Sequence, residues 1–359
     1  MIPESLTLIM SEIALSLYPQ LIKLTNTNIT SQISIRFITY TILAILAILG
    51  TPAISLSTIS LSSILNYPIT QYISLGLINI LHVAVSYISF HFLSSGVGYS
   101  LFYTYPIFNL LGRSLLFQET IKPYAFLYII IAIVGVYLIT NKEYSEITNP
   151  ANPANPANPA NPANPANPAN PANPANPANP ANPANPANPK TEMISFGVFA
   201  GLLSAITESI IYLTVRNKTV KTSSYQEILR FYLLGAIIGI ILIAYNYFKD
   251  TNILESLTIL PESLTSSTSS TSSTSSFFSI QISGNDVITL ILFNALIGFL
   301  GYIFRFHAIP RINTIEFNSL IFLGVIFSYL WGFFLSGETI HPEYILGSLL
   351  IILSVYLIN

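Results

Sequence analysis

Glu119-Thr120-Ile121-Lys122-Pro123 opens a stretch that continues through an apolar run and closes on Gly135-Val136-Tyr137-Leu138-Ile139. The C-terminus repeats it as Glu338-Thr339-Ile340-His341-Pro342, an apolar run, and Ser354-Val355-Tyr356-Leu357-Ile358, with the same internal spacing. Self-similarity of this kind marks a duplicated structural unit, and further echoes lie upstream in the same order. Ser11-Glu12 answers to Thr207-Glu208, Ile35-Arg36-Phe37 to Leu229-Arg230-Phe231, and Asn79 with Tyr87-Ile88 to Asn294 with Tyr302-Ile303. The chain therefore reads as two related halves, residues 1–142 and 192–359, joined by a linker over 143–191.

Only 8% of residues are charged, where soluble proteins carry about 25%. Mean hydropathy is +0.63 and hydrophobic residues make up 52% of the chain, so an integral membrane protein is expected. The formal net charge of −2 and the lack of a basic tract speak against a nucleic-acid partner. With no cysteine there is neither a disulfide framework nor a thiolate metal site.

A helix needs about 20 mostly apolar residues to cross the hydrocarbon, and the runs here are too long and unbroken for barrel strands. Ten spans are expected: 5–24, 31–50, 70–91, 96–117 and 122–140, then 194–215, 225–247, 287–308, 315–335 and 342–358. The fold class expected is thus all-α integral membrane, with ten transmembrane helices in two inverted five-helix repeats. Inversion follows from parity: an odd number of helices per repeat makes the second half start on the face opposite to the first. Lys122, Arg216, Lys218, Lys221 and Arg311 on the N-terminal side, against Lys23, Lys142, Lys190 and Lys249 on the other, place both termini in the cytosol. Plasma membrane and endomembrane are not distinguished.

From Asn149 to Pro189 the chain repeats Asn-Pro-Ala, and proline at every third residue forbids helix and central strand. Such a tract reads as an extended linker. A second biased tract, Ser263 to Ser276 within a loop over 251–285, is almost wholly Ser and Thr and reads as disordered.

Ser94 through Tyr105-Pro106 to Glu119, followed by a Pro-started helix ending Gly135-Val136-Tyr137-Leu138, resembles the signature of the EamA-like families of the drug/metabolite transporter (DMT) superfamily. The second copy resembles it too: Gly337-Glu338 fits the family's Gly-Glu pair where the first copy has Gln118-Glu119, although Val325 stands in place of Pro106. Arg36 and Arg230, in the second helix of each repeat, also fit. The resemblance implies a ten-helix carrier with cytosolic termini, working by alternating access around a central cavity. It names no substrate.

Ionisable groups within apolar helices are costly and usually face a cavity or a partner. Glu12 and Glu208, in the first helix of each repeat, are the first candidates, able to take up a proton or exchange it for a cationic group. Arg113 and Arg305 have no mates in the duplication and would suit a phosphate or carboxylate if they point inward, since a guanidinium fork binds oxyanions bidentately. Glu316 could neutralise Arg305 or Arg311. Asn79 and Asn294 are paired by the duplication and can line a cavity or bond helices together, and Tyr87 and Tyr302 accompany them. Arg36 and Arg230 are expected to be structural or interfacial, shallow enough to snorkel. Pro106, Glu119 and Glu338 are structural, and Pro19 and Pro106 should kink their helices. His91 and His307 recur near helix ends and are expected to be solvated aromatics.

No catalytic residue, cofactor or metal site is expected. The chain lacks His-Glu-x-x-His, Gly-x-Ser-x-Gly and a P-loop Gly-Lys-Ser. The function expected is secondary transport of a small polar metabolite, with membrane lipid and a small-molecule substrate as partners and a homodimer left open. The alternative is a non-transporting scaffold or receptor that uses the same fold, which deletion of the Asn-Pro-Ala arm would cripple and a carrier would tolerate.

Overall fold

The computed structural model describes residues 3–25, 27–50, 67–118, 120–148, 189–217, 222–250 and 284–358. The Asn-Pro-Ala tract, the Ser/Thr-rich loop and Glu119 lie outside these residues. Every regular element among them is helical.

In chain order the helices are α1 (Glu4–Leu15), α2 (Tyr18–Leu24), α3 (Ile29–Leu49), α4 (Ile69–Phe92), α5 (Ser95–Phe102), α6 (Tyr105–Phe117) and α7 (Pro123–Thr148). After the linker come α8 (Pro189–Arg216), α9 (Ser224–Asp250), α10 (Gly284–Phe293), α11 (Phe299–Ala308), α12 (Thr314–Ile321), α13 (Leu323–Ser336) and α14 (Pro342–Ile358). Among the described residues eight helical runs are long and apolar enough to cross a membrane: Glu4–Leu24, Ile29–Leu49, Ile69–Phe92, Pro123–Ser145, Glu192–Arg216, Ser224–Asn246, Asp286–Ala308 and Glu316–Ser336. Their outward faces are apolar, with Ile69, Ile133, Phe199 and Phe334 each more than 60% exposed. The protein is an all-helical, multi-pass membrane protein.

The stretches expected to span at 96–117 and 342–358 are helical as well. The first is in two pieces, and α14 is 17 residues long. The breaks have physical causes. Proline has no N–H and its ring clashes with the carbonyl one turn back, so the chain turns at Ser16-Leu17 before Pro19 and at Tyr103-Thr104 before Pro106. The second half also breaks, at Phe322, the position that answers to Tyr103, although Val325 replaces the proline there. Between α10 and α11 the helix widens into a π-turn at Asn294–Gly298. Asn294 Nδ2 donates to the Leu290 carbonyl at 2.8 Å, competing for the acceptor that its own N–H would take in an α-helix.

Packing runs between the halves rather than within them: α1 lies on α11, α3 on α9, α4 on α8, α5 on α13 and α7 on α14. Contact order makes several of these pairs antiparallel. Ser34 and Phe37 meet Gly239 and Gly235; Ser89 and Leu93 meet Gly201 and Gly197; Glu12 and Leu15 meet Arg305 and Gly301. Small residues recur on these faces because helices in lipid associate by close packing, not by expulsion of water. The interior left between the two halves is aromatic and polar.

Candidate functional site

Arg305 on α11 is 2% exposed and joins both halves through one guanidinium. Its Nη1 lies 3.2 Å from Glu12 Oε1 on α1, and its Nη2 2.6 Å from Glu208 Oε1 on α8. Glu12 accepts a further bond from the Tyr103 hydroxyl, at the break between α5 and α6. The other oxygen of Glu208, Oε2, is 3.5 Å from His82 Nε2 on α4. Both carboxylates are nearly inaccessible, at 0% and 3% exposure. Two acids and one base in a dry interior hold together because each acid has a cation at bonding distance; either acid alone would be strongly disfavoured.

Arg36 occupies a different environment. It is 4% exposed, and its Nη2 donates to the hydroxyls of Tyr232 at 3.0 Å and Tyr302 at 2.9 Å. The guanidinium carbon stands 4.4 Å from the Tyr18 ring centroid and between 5.2 and 5.8 Å from those of Tyr40, Tyr87, Tyr232 and Tyr302. Five aromatic faces thus surround one cation, a geometry that stabilises a desolvated charge by roughly 0.5–2 kcal/mol per favourable ring. Among the described residues no carboxylate lies within ion-pair distance of it. Arg36 was expected to be structural or interfacial; its face of α3 is turned inward onto α2, α4, α9 and α11.

A cavity of about 30 Å³ lies between the two guanidinium groups, lined by Arg36, Arg305, His82, Tyr302, Phe90 and Phe102 among others. That is room for one or two waters.

The remaining candidates separate cleanly. Tyr87 and Tyr302 belong to the aromatic ring around Arg36. Asn294 accepts from the Tyr18 hydroxyl at 2.8 Å and so supports that ring from behind. Asn79 donates to the Phe231 carbonyl at 3.1 Å, a bond between α4 and α9. Arg230 is 2% exposed; its Nη2 is 2.7 Å from Glu227 Oε2 and its guanidinium stacks 4.1 Å from the Tyr67 ring centroid. Arg113 is half-buried on α6 and does not line the central cavity. Glu316 accepts from Ser5 Oγ at 2.5 Å and Asn313 Nδ2 at 3.1 Å, and makes no ion pair with Arg305 or Arg311. Glu338 pairs with Lys23 and accepts from Ser95 N at 2.8 Å, capping α5. His91 is exposed and His307 half-buried, and neither reaches the cluster.

Sequence reading missed His82, Tyr103, Tyr18, Tyr40 and Tyr232. His82 carried a signal, an ionisable residue in mid-span. The tyrosines carried none, because a buried tyrosine in an apolar run is indistinguishable from packing.

No family model matches the sequence, and no curated protein matches it. A solved structure described only as a crystal structure of a protein is similar over 98% of this chain and 93% of its own, with a TM-score of 0.50 and 12% identity. At that identity the likeness concerns the fold alone.

Proposed function

We propose that the protein is a secondary transmembrane carrier of a small polar metabolite, built of ten spans in two inverted five-helix repeats and working by alternating access. The observation that carries this reading is the Glu12–Arg305–Glu208 triad, which draws charged groups from both halves into the buried interior. Charges buried at such cost are retained for substrate or ion passage more often than for stability. Antiparallel pairing of equivalent helices, α3 with α9 and α7 with α14, supports inversion, since repeats of equal hand would set equivalent helices parallel. The resemblance to EamA-like transporters points the same way, with both termini in the cytosol.

A cavity of about 30 Å³ is too small for a metabolite, so substrate entry requires the two halves to part at one face. One latch is visible at the end of the bundle that holds Lys23. There Lys23 of α2 binds Glu338, next to Ser95 at the start of α5. The test is uptake by the purified protein in proteoliposomes. Saturable, time-dependent entry of one metabolite class, lost in Arg305→Ala and exchanged by counterflow, is expected; a monodisperse, folded protein that moves no solute would refute the carrier reading.

A further inference from the structure

We infer that the cavity between Arg36 and Arg305 takes a small organic oxyanion, a carboxylate or a phosphate ester, and that each anion binds together with one proton held between His82 and Glu208. The inference rests on the carrier reading and names its substrate class.

The proton follows from hydrogen-bond bookkeeping. His82 Nδ1 faces the Ser204 carbonyl at 3.3 Å and Thr207 Oγ1 at 3.1 Å. The Thr207 hydroxyl hydrogen is directed to the carbonyls of Leu203 and Ser204, at 3.1 and 2.9 Å. Nδ1 therefore meets acceptors only and carries a hydrogen. Nε2 then points its lone pair at Glu208 Oε2 unless a second proton lies between them. The contact is favourable only when the pair holds that proton, whether as imidazolium with carboxylate or as imidazole with carboxylic acid.

Charge balance supplies the anion. With the proton in place the His82–Glu208 pair is neutral, Glu12 balances Arg305, and Arg36 is left as one uncompensated positive charge. Its neighbours are neutral tyrosine hydroxyls, and its Nε has no hydrogen-bond partner among the described residues. An unbalanced charge in a dry interior is costly, and a monoanion in the adjoining cavity removes that cost. Two guanidinium groups lining one cavity also exclude a cation. Without the proton the cluster is already neutral, and an added anion would leave a net negative charge.

The groups that face the proton site are accounted for in this balance: Glu12 from α1, Arg36 from α3, Tyr103 and Tyr105 at the α5–α6 break, and Arg305 from α11. A monoanion and the proton thus bind as a neutral unit, and a multiply charged anion such as citrate or a phosphate ester binds in its singly charged, protonated form. The cavity must widen for this, by movement of Phe90 and Phe102.

The test uses the full chain in proteoliposomes with lactate, citrate, glucose 6-phosphate, glucose and spermidine as labelled probes, with and without an acid-outside gradient. Uptake of at least one of the three anions is expected, with none of glucose or spermidine, and with an apparent affinity that strengthens by up to about tenfold per unit of acidification, as binding of one proton requires. Arg36→Gln should lower anion uptake at least tenfold, while Arg36→Lys, which keeps the charge and loses the fork, should retain part of it. His82→Gln should abolish the response to the gradient and lower anion counterflow as well, because without the shared proton a bound anion leaves the cluster with a net negative charge. Uptake confined to glucose or spermidine would leave a carrier standing and overturn the inference. Anion uptake indifferent to pH would overturn the shared proton, and absence of any uptake by a folded protein would remove the carrier reading and this one with it.

Discussion

Gly135 of α7 and Gly347 of α14 meet backbone to backbone: a methyl built on Gly135 would lie 2.6 Å from the Gly347 carbonyl oxygen, and one on Gly347 would lie 2.7 Å from that of Gly135. Further along the same pair Ser354 Oγ donates to the Tyr128 carbonyl at 2.5 Å. In the duplicated stretch Ser354 stands where Gly135 does, and Gly347 where Tyr128 does. The two contacts therefore join positions that the repeated stretch of sequence maps onto each other.

Neither glycine has room for a side chain, because the obstruction is backbone rather than a movable side-chain end. Gly135→Leu and Gly347→Leu should each lower stability by at least about 1–3 kcal/mol, the range for overpacking. Ser354→Ala, which deletes one interhelical hydrogen bond, should cost under about 1 kcal/mol. Thermal unfolding in detergent ranks the three. A serine variant worse than either leucine variant would show that the close approach is not what holds this pair.

Antiparallel packing is separately checkable, because the chain contains no cysteine and any introduced pair is unambiguous. Gly135→Cys with Gly347→Cys, and Tyr128→Cys with Ser354→Cys, should cross-link on mild oxidation. Tyr128→Cys with Gly347→Cys should not, since the contacts place those positions about two turns apart along the pair. A gel that showed the last pair joined and the first two separate would reverse the relative direction of α7 and α14.

Arg305 stands between two acids that have little else to neutralise them. Arg305→Ala should cost about 3–5 kcal/mol, the usual penalty for stranding a buried charge. Adding Glu12→Gln and Glu208→Gln to Arg305→Met should recover most of the loss, because neutral amides at both positions no longer need a cation. Tyr103→Phe removes one hydroxyl bond to Glu12 and should cost about 1.5–3 kcal/mol. Unfolding temperatures of these variants in one detergent decide the matter; a triple variant no more stable than Arg305→Ala would mean the guanidinium acts by packing instead of charge.

Eight membrane-length helices were legible as apolar runs, and paired motifs such as Ile35-Arg36-Phe37 and Leu229-Arg230-Phe231 stand in the same order along the sequence. Glu12, Glu208 and Arg305 stood out as charges in apolar helices. Their convergence did not, since Arg305 has no mate in the duplication and nothing in one-dimensional spacing brings α11 against both α1 and α8. Arg36 shows the limit most clearly. Counting turns from the helix end gives depth but not direction, and direction is what makes it central. Phe322 shows another: a break recurs there without the proline that made its counterpart predictable, so tertiary packing decides it.

Glu338 does two jobs that substitution can separate. It accepts from the Ser95 backbone N–H at 2.8 Å and Ser95 Oγ at 2.7 Å, and it pairs with Lys23. The ion pair is partly open, with side chains 22% and 17% exposed, so Lys23→Ala should cost no more than about 1 kcal/mol and the loss should shrink in high salt. Glu338→Ala also strips the start of α5 of its acceptor and should cost about 1–2 kcal/mol, whatever the salt. If Lys23→Ala proved the more damaging of the two, the charge pair and not the helix cap would be the main function of this glutamate.

Gln118 and Gly337 occupy equivalent positions and adopt the same left-handed conformation, with φ of 56° and 65°. Each ends its helix in the same way, its N–H reaching back to the carbonyl of Arg113 or Gly332. Glycine adopts this region without penalty, whereas an L side chain is strained there by about 1–2 kcal/mol. Part of that gain is lost to the greater freedom of glycine in the unfolded chain. Gln118→Gly should therefore stabilise the protein by roughly 0.5–1 kcal/mol, and Gly337→Gln should destabilise it by a similar amount. A methyl on Gly337 would meet nothing within 4 Å, so any loss there comes from backbone strain and not from a clash. Unfolding measurements on the two single variants and on the double exchange test both signs. If Gly337→Gln is neutral, the left-handed turn relaxes without cost and the stabilisation expected of Gln118→Gly disappears with it.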